Sequence, residues 1–278
     1  MRRSRLLIAV VMAVVALIGY YASREMNPIT GKTQSVALSQ EQEVVLGLQS
    51  APQMAQEFGG LDPDASVQSD LDQIGRKLVS QGKVAHTSYR FQFKVLRDGQ
   101  TVNAFALPGG PVFITRALLE RLENEAQLAG VLGHEVGHVV GRHSAEQIAK
   151  TQLGRGLVGA IGTATSNGES GNSPGAQQMA AFVVQMTLMK YGRDHELDAD
   201  ALGVQIMADA GYDPRALINV MTILAKASGG SRQPEFFSTH PDPGNRQERI
   251  RQQIATKFPE GVPGQLTLGR RVAVPLHD

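Results

Sequence analysis

The chain has 278 residues, and its 27 Lys and Arg stand against 26 Asp and Glu for a net charge of +1. That balance argues against a nucleic-acid binder, which carries a clear basic excess. With no cysteine, the chain can hold no disulfide framework, thiolate metal site, cysteine nucleophile or lipid-modified N-terminal cysteine. Gly and Ala are frequent, aromatics few and Trp absent, so a mostly helical domain with Gly-rich loops is expected.

Residues 1–5 (MRRSR) carry three arginines, and Leu6–Ser23 then runs 18 residues without a charge. A run of that length can span a bilayer. Tyr20 and Tyr21 stand where an interfacial aromatic belt falls, and the arginines hold the N-terminus in the cytoplasm. A cleaved signal shares the basic start and the apolar run, but a cut after Ala22 meets bulky Tyr20 three places before it. The reading is a segment 1–25 that is an uncleaved membrane anchor or a signal segment. One domain over 26–278 follows, facing the periplasm of a bacterial envelope.

Residues 26–40 are polar and turn-rich, an arm over the domain surface. Apolar residues recur at helical spacing over 41–58 (Val44, Val45, Leu48) and 66–80 (Val67, Leu71, Ile74, Leu78). Tyr89, Phe91, Phe93 and Val95 alternate with polar residues, the period of a half-buried strand. Residues 101–107 and 111–115 read as further strands, split by Pro108-Gly109-Gly110. Thr115 caps a short helix, and Asn124 with Gln127 resembles a capping box opening the next, which runs to about Gly141. Residues 154–175 hold seven glycines and read as a flexible, lid-like loop. Gly154 to Gly159 match G-x-G-x-x-G, but no strand precedes them, so no nucleotide site is expected. Residues 177–191 and 195–210 read as helices. The Met179, Phe182, Val183, Met186 and Met189 stripe reads as core, because its apolar run is too short to cross a bilayer. A last helix covers 244–257.

The chemistry lies in His134-Glu135-Val136-Gly137-His138. Residues i and i+4 share one face of a helix, so two imidazoles can grip one cation. Glu135 lies about 100° round, within reach of a water on that cation. Zinc suits such a site best. A third ligand is needed. In HEVGHVVGRH the last histidine, His143, falls one place short of the H-E-x-x-H-x-x-G-x-x-H spacing. On a continuing helix it sits about 140° from His138, so it reads as a helix-end histidine. Residues 195–200 read HELDAD. Glu196 and Asp200 share a face there, Glu196 to ligate and Asp200 to hydrogen-bond a ligand imidazole. The bland alternative is a solvated acidic helix start.

With these residues assembled, the chain resembles the HtpX-like and CAAX-prenyl-protease-like zinc metallopeptidases, a gluzincin family. The landmarks occur in order: NAFALPGGPVFITRALL, HEVGHVVGRH, ELDADALG and STHPDPGNR. NPITGKTQ and QEQEVVLG are similar to its small bacterial periplasmic members of the LoiP type. The resemblance spans residues 27–257. It implies an α+β, mostly helical, zincin-type domain with a small sheet beside the active-site helix. It implies one Zn2+ per chain on His134, His138 and Glu196, Glu135 as base, and Asp200 behind a ligand. It also implies that Asn103, Ala104, Phe105 and Ala106 form the edge along which an extended polypeptide substrate lies. His240 would donate to the oxyanion or occupy the metal's open position, and Arg246 would hold its loop by an ion pair. The implied activity is endopeptidase hydrolysis of misfolded or extended envelope proteins. A self-inhibited or non-catalytic membrane-anchored chaperone or binding module is the alternative.

Overall fold

Five short strands and ten helices carry the described chain, which in the computed structural model comprises residues 2–165, 191–227, 235–241 and 244–272. The arm after the first helix pairs β1 (Arg24–Met26) with β2 (Thr33–Ser35) in an antiparallel hairpin. A second sheet holds β3 (Gln92–Leu96), β4 (Ala104–Ala106) and β5 (Pro111–Thr115) in the order β3-β5-β4. β5 is central, parallel to β3 and antiparallel to β4. All five of its residues, Pro-Val-Phe-Ile-Thr, are buried, as suits a strand covered on both faces.

Capping chemistry sets the helix starts. Ser39 and Gln42 form a reciprocal capping box at α2 (Gln40–Glu57). The Asp64 side chain accepts from Ser66 and Val67 at the head of α3 (Ala65–Val79). Val67, Leu71, Ile74 and Leu78 of α3 are buried, and this face meets β3. Thr115 caps α4 (Arg116–Leu119). Asn124 accepts from the Gln127 backbone at 3.0 Å to start α5 (Glu125–Val140). The capping box there is one-sided: the Gln127 amide oxygen accepts from Glu123 N at 2.7 Å.

Every α5 residue from Ala126 to Val140 is buried, including the polar Gln127, His134, Glu135 and His138, so the helix is enclosed on all sides. It packs on α7 (Arg193–Asp209), α8 (Ala216–Ala227), α3 and β4. Glycine makes the α5–α7 crossing close. A Cβ at Gly137 would stand 2.9 Å from the Ala199 carbonyl oxygen, so the two backbones meet with no side chain between them.

The fold is α+β and mostly helical, as the family resemblance implied. One expectation is corrected. Residues 154–165 of the Gly-rich stretch are not loop but belong to α6 (His143–Thr165). α6 packs along α1 (Arg2–Ala22), and a Cβ on Gly156 would come within 2.8 Å of the Ala16 methyl. Close helix approach, rather than chain flexibility, explains glycine there. Residues 166–175 and the Met179–Met189 stripe lie outside the described residues. Over Ser4–Ala22, α1 is long and apolar enough to cross a membrane, with a mean hydropathy of 2.2 and only 6% of the segment buried. The short α9 (Glu235–Thr239) and then α10 (Arg246–Lys257) close the described chain around the site.

Candidate metal centre

α5 presents His134 and His138, α7 presents Glu196, and His240 follows directly on α9. All four are buried, and one ligand atom from each lies within 4.8 Å of the others. His134 Nε2 stands 3.1 Å from His138 Nε2 and 3.3 Å from His240 Nδ1. Glu196 Oε1 is 3.1 Å from His240 Nδ1 and 3.5 Å from His138 Nε2, and its Oε2 is 3.5 Å from His134 Nε2. Metal–ligand bonds of about 2.0–2.1 Å in a tetrahedron put ligand atoms about 3.3–3.4 Å apart. Four of the six pairs among His134 Nε2, His138 Nε2, His240 Nδ1 and Glu196 Oε1 lie near that spacing, so these side chains could hold a single divalent cation.

The surroundings keep Glu196 and His138 in binding form. At His134, burial and Arg246 are outweighed by Asp200 and Glu196, which raise its pKa to about 9, so a cation binding there displaces a proton. Burial would push the Glu196 carboxyl up, but His240 and Arg246 outweigh it and hold the group well below the usual carboxylate range. Burial lowers His138 well below an ordinary histidine, favouring the neutral ring that ligation requires. Asp200 Oδ1 lies 3.0 Å from His134 Nδ1. Arg246, at the head of α10, donates to both Asp200 oxygens, at 2.7 and 2.8 Å, and Nη1 lies 3.2 Å from Glu196 Oε2. The guanidinium thus ties α10 to two carboxylates of α7 in a geometry that favours Arg over Lys.

Glu135 is fully buried beside this cluster. Neither of its carboxylate oxygens has a hydrogen-bond partner among the described residues, and His240 Nε2 stands 3.5 Å from Oε1. Burial pushes its pKa up, against the pull of His240 and His134. A buried carboxylate without donors is costly in a structure and common at functional sites.

The structure places Ala104, Phe105 and Ala106 in β4, an edge strand of the sheet whose residues are all buried and which lies against α5. Asn103 precedes them. Its backbone bonds the Thr115 hydroxyl, and its side-chain amide has no partner among the described residues. The edge is covered at its start, where Phe236 N of α9 donates to Val102 O at 3.2 Å. Phe236 also stacks on the His240 ring, 4.5 Å between centroids, so α9 both lies against the strand and steadies His240.

Two residues of the centre are not foreseen by the motifs. Tyr191 stacks on His138 at 4.1 Å and its hydroxyl is 2.9 Å from Ser144 Oγ. It sits outside every motif, and nothing local marks it. His143 was read as facing away from the ligands, and that is corrected: its Nδ1 is 2.9 Å from His138 Nδ1. The reading assumed a continuing helix, whereas α5 ends at Val140 and Arg142 turns left-handed, with φ 58°.

The profile of peptidase family M48 matches residues 65–254. Among known proteins, the beta-barrel assembly-enhancing protease of Yersinia pestis is 31% identical over 240 residues, covering 82% of this chain and 47% of that protein. The protein of the same name in Escherichia coli (strain K12) is 30% identical, over 81% of this chain and 46% of its own. The mitochondrial metalloendopeptidase OMA1 of Schizosaccharomyces pombe is 36% identical over 163 residues, 58% of this chain and 46% of that protein. The chain spans about half the length of these relatives.

Proposed function

The chain belongs to peptidase family M48, and from that premise we propose that it is a zinc endopeptidase with one Zn2+ on His134, His138 and Glu196. The observation that supports this most is the cluster of buried nitrogen and oxygen atoms within 4.8 Å of one another, beside a carboxylate with no hydrogen-bond donor among the described residues. When bound, zinc supplies Lewis-acid chemistry and lowers the pKa of water to about 7. Glu135 takes the proton of the attacking water and returns it to the leaving amine. Its raised pKa suits both halves of that exchange. Asp200 fixes the tautomer of His134 so that Nε2 faces the cation, and Arg246 holds Asp200 in place. The edge of β4, with Asn103, is the line along which an extended polypeptide would bind by strand addition once the cover over these buried residues moves aside.

His240 supports a second feature of the same reading. Its Nδ1 lies 3.3 Å from His134 Nε2 and 3.1 Å from Glu196 Oε1, so it would offer a fourth ligand where a catalytic site keeps an open position. On this reading the arrangement with His240 against the cluster is a self-inhibited one, which His240 would leave for a substrate to enter. That favours the self-inhibited form of the enzyme over a direct oxyanion role in this conformation.

The 1–25 segment acts as a membrane anchor or signal, and 26–278 is the peptidase domain. The exposed apolar surface of α1 supports an inner-membrane anchor with the domain in the periplasm, or a periplasmic protein if the segment is cut. Misfolded or extended envelope proteins are the proposed substrates, and the similarity to proteases named for beta-barrel assembly supports that class. The test is casein hydrolysis by the zinc-loaded full chain against Glu135→Gln, with metal content measured in both. The variant should keep its zinc and lose at least about 100-fold in rate. Equal rates in the two proteins would remove Glu135 as the base.

A further inference from the structure

We propose that His143 is a positioning residue for the metal ligand His138, oriented in turn by Asp198 and Lys32. This rests on the reading of His134, His138 and Glu196 as ligands. His143 is buried, and its ring is fixed by a stack on His195, 4.6 Å between centroids. Its polar contacts form a line. His138 faces the cation cluster with Nε2, so its Nδ1 carries the proton and donates to His143 Nδ1 at 2.9 Å. His143 must then hold its own proton on Nε2, which points at Asp198 Oδ2, 3.3 Å away. Asp198 Oδ1 accepts from Lys32 Nζ at 2.6 Å. One assignment of protons satisfies every atom in the line. His134 is backed differently, directly by the Asp200 carboxylate.

The backbone is bent to make this contact. Arg142 adopts a left-handed conformation that a long side chain keeps only when its surroundings hold it. Those surroundings are visible. Its Nε donates to buried Glu43 Oε1 at 2.9 Å, Nη2 donates to Leu38 O at 2.5 Å, and Nη1 pairs with Glu25. The turn restarts the chain as α6 with His143 as its first residue, laid back over His138. A histidine that merely filled the core would need neither the strained turn nor the carboxylate behind it.

Removing a partner of a ligand's outer nitrogen lowers metal affinity by about 10–100-fold. The experiment is a chelator competition for zinc on the metal-free full chain in detergent, with folding followed by circular dichroism. Wild type is compared with His143→Phe, His143→Gln and Asp198→Asn. His143→Phe keeps the ring and loses the acceptor, so its affinity should fall by about 10–100-fold. His143→Gln offers a side-chain carbonyl to His138 Nδ1 and should recover most of that loss. Asp198→Asn should bind several-fold more weakly with every ligand and His143 intact. In the Co2+-loaded proteins the visible absorption of His143→Phe should shift from wild type, reporting a changed ligand geometry. A folded His143→Phe that binds zinc within about twofold of wild type overturns the proposal. If His143→Phe does not fold, Asp198→Asn decides: a several-fold loss supports the relay and an unchanged affinity overturns it. A wild type that binds no zinc would instead overturn the metal-site reading beneath it.

Discussion

Replacing Gly137 with Ala probes the contact that brings the two ligand-bearing helices together. Gly137 lies between Glu135 and His138 on α5, and its α-carbon faces α7. A Cβ there would stand 2.9 Å from Ala199 O, 3.2 Å from the Ala199 α-carbon and 3.2 Å from Leu202 Cβ. Two of those atoms are backbone, so relief requires the helices to part by a few tenths of an ångström. Overpacking of this kind costs about 1–3 kcal/mol, against which Ala gains up to about 1 kcal/mol of helix propensity. The net expectation is a loss of about 1–2 kcal/mol, or roughly 2–8 °C in Tm. Gly133, one turn earlier, is the control. Its nearest would-be neighbour, Gly203 O, is 3.4 Å away, an ordinary contact. Gly133→Ala should therefore be neutral or stabilising by up to about 1 kcal/mol. Parting α5 from α7 also separates His134 and His138 from Glu196, so Gly137→Ala should bind zinc at least about tenfold more weakly. Melting curves of the metal-free proteins and chelator competition measure both effects. If Gly137→Ala matches Gly133→Ala in stability and wild type in zinc affinity, the close crossing does not set the site.

Three further outcomes follow from the same geometry. Arg246→Met leaves buried Asp200 and Glu196 without their cation, and breaking such a pair costs about 3–5 kcal/mol, so urea unfolding at pH 7 should show a loss of that order; a loss under about 1 kcal/mol would contradict the role given to Arg246. Glu146 is hydrogen-bonded to His195 and Lys150 and its pKa is lowered to about 2, so its stabilisation is present above the unfolded value of 4.5 and disappears as pH falls towards 2. Allowing for partial exposure, Glu146→Gln should cost about 1–2 kcal/mol at pH 7 and only a few tenths at pH 2, where the carboxyl is about half protonated, whereas an equal cost at both would rule out the linkage. His240→Ala opens the fourth position and should raise casein hydrolysis while weakening zinc binding; a fall in hydrolysis with zinc retained would move His240 to transition-state stabilisation instead.

What could be read from the sequence was whatever is decided within a few residues. The α5 start is written in Asn124, and the facing of His134 and His138 in their spacing of four. Glu196 and Asp200 share a face of α7 for the same reason. What escaped is decided at long range. Gly141 marks the end of α5, but nothing local marks the left-handed turn at Arg142, which is held by Glu43, Glu25 and Leu38 from distant parts of the chain. Without that break His143 faces away from His138, and so it was misread. The glycines of 154–165 carry a loop signal locally, and only the neighbouring α1 shows that this stretch is a packed helix, with Gly156 against Ala16. α8 carries no motif, and α9 is only one turn long and runs into the STHPDPGNR landmark, so neither stands out as a helix in the sequence. The β4 edge was legible as a strand, but its cover by Phe236 depends on a segment 134 positions later in the numbering, from 102 to 236.

The measurement that bears most directly on the central claim is zinc K-edge X-ray absorption on the zinc-loaded full chain without a tag, together with its zinc content. One zinc per chain is predicted, with nitrogen and oxygen neighbours at about 2.0–2.1 Å and imidazole scattering. His138→Ala and Glu196→Ala should each alter that spectrum and lower the zinc content. A spectrum and stoichiometry unchanged in both variants would put the metal elsewhere and contradict the site assigned to His134, His138 and Glu196.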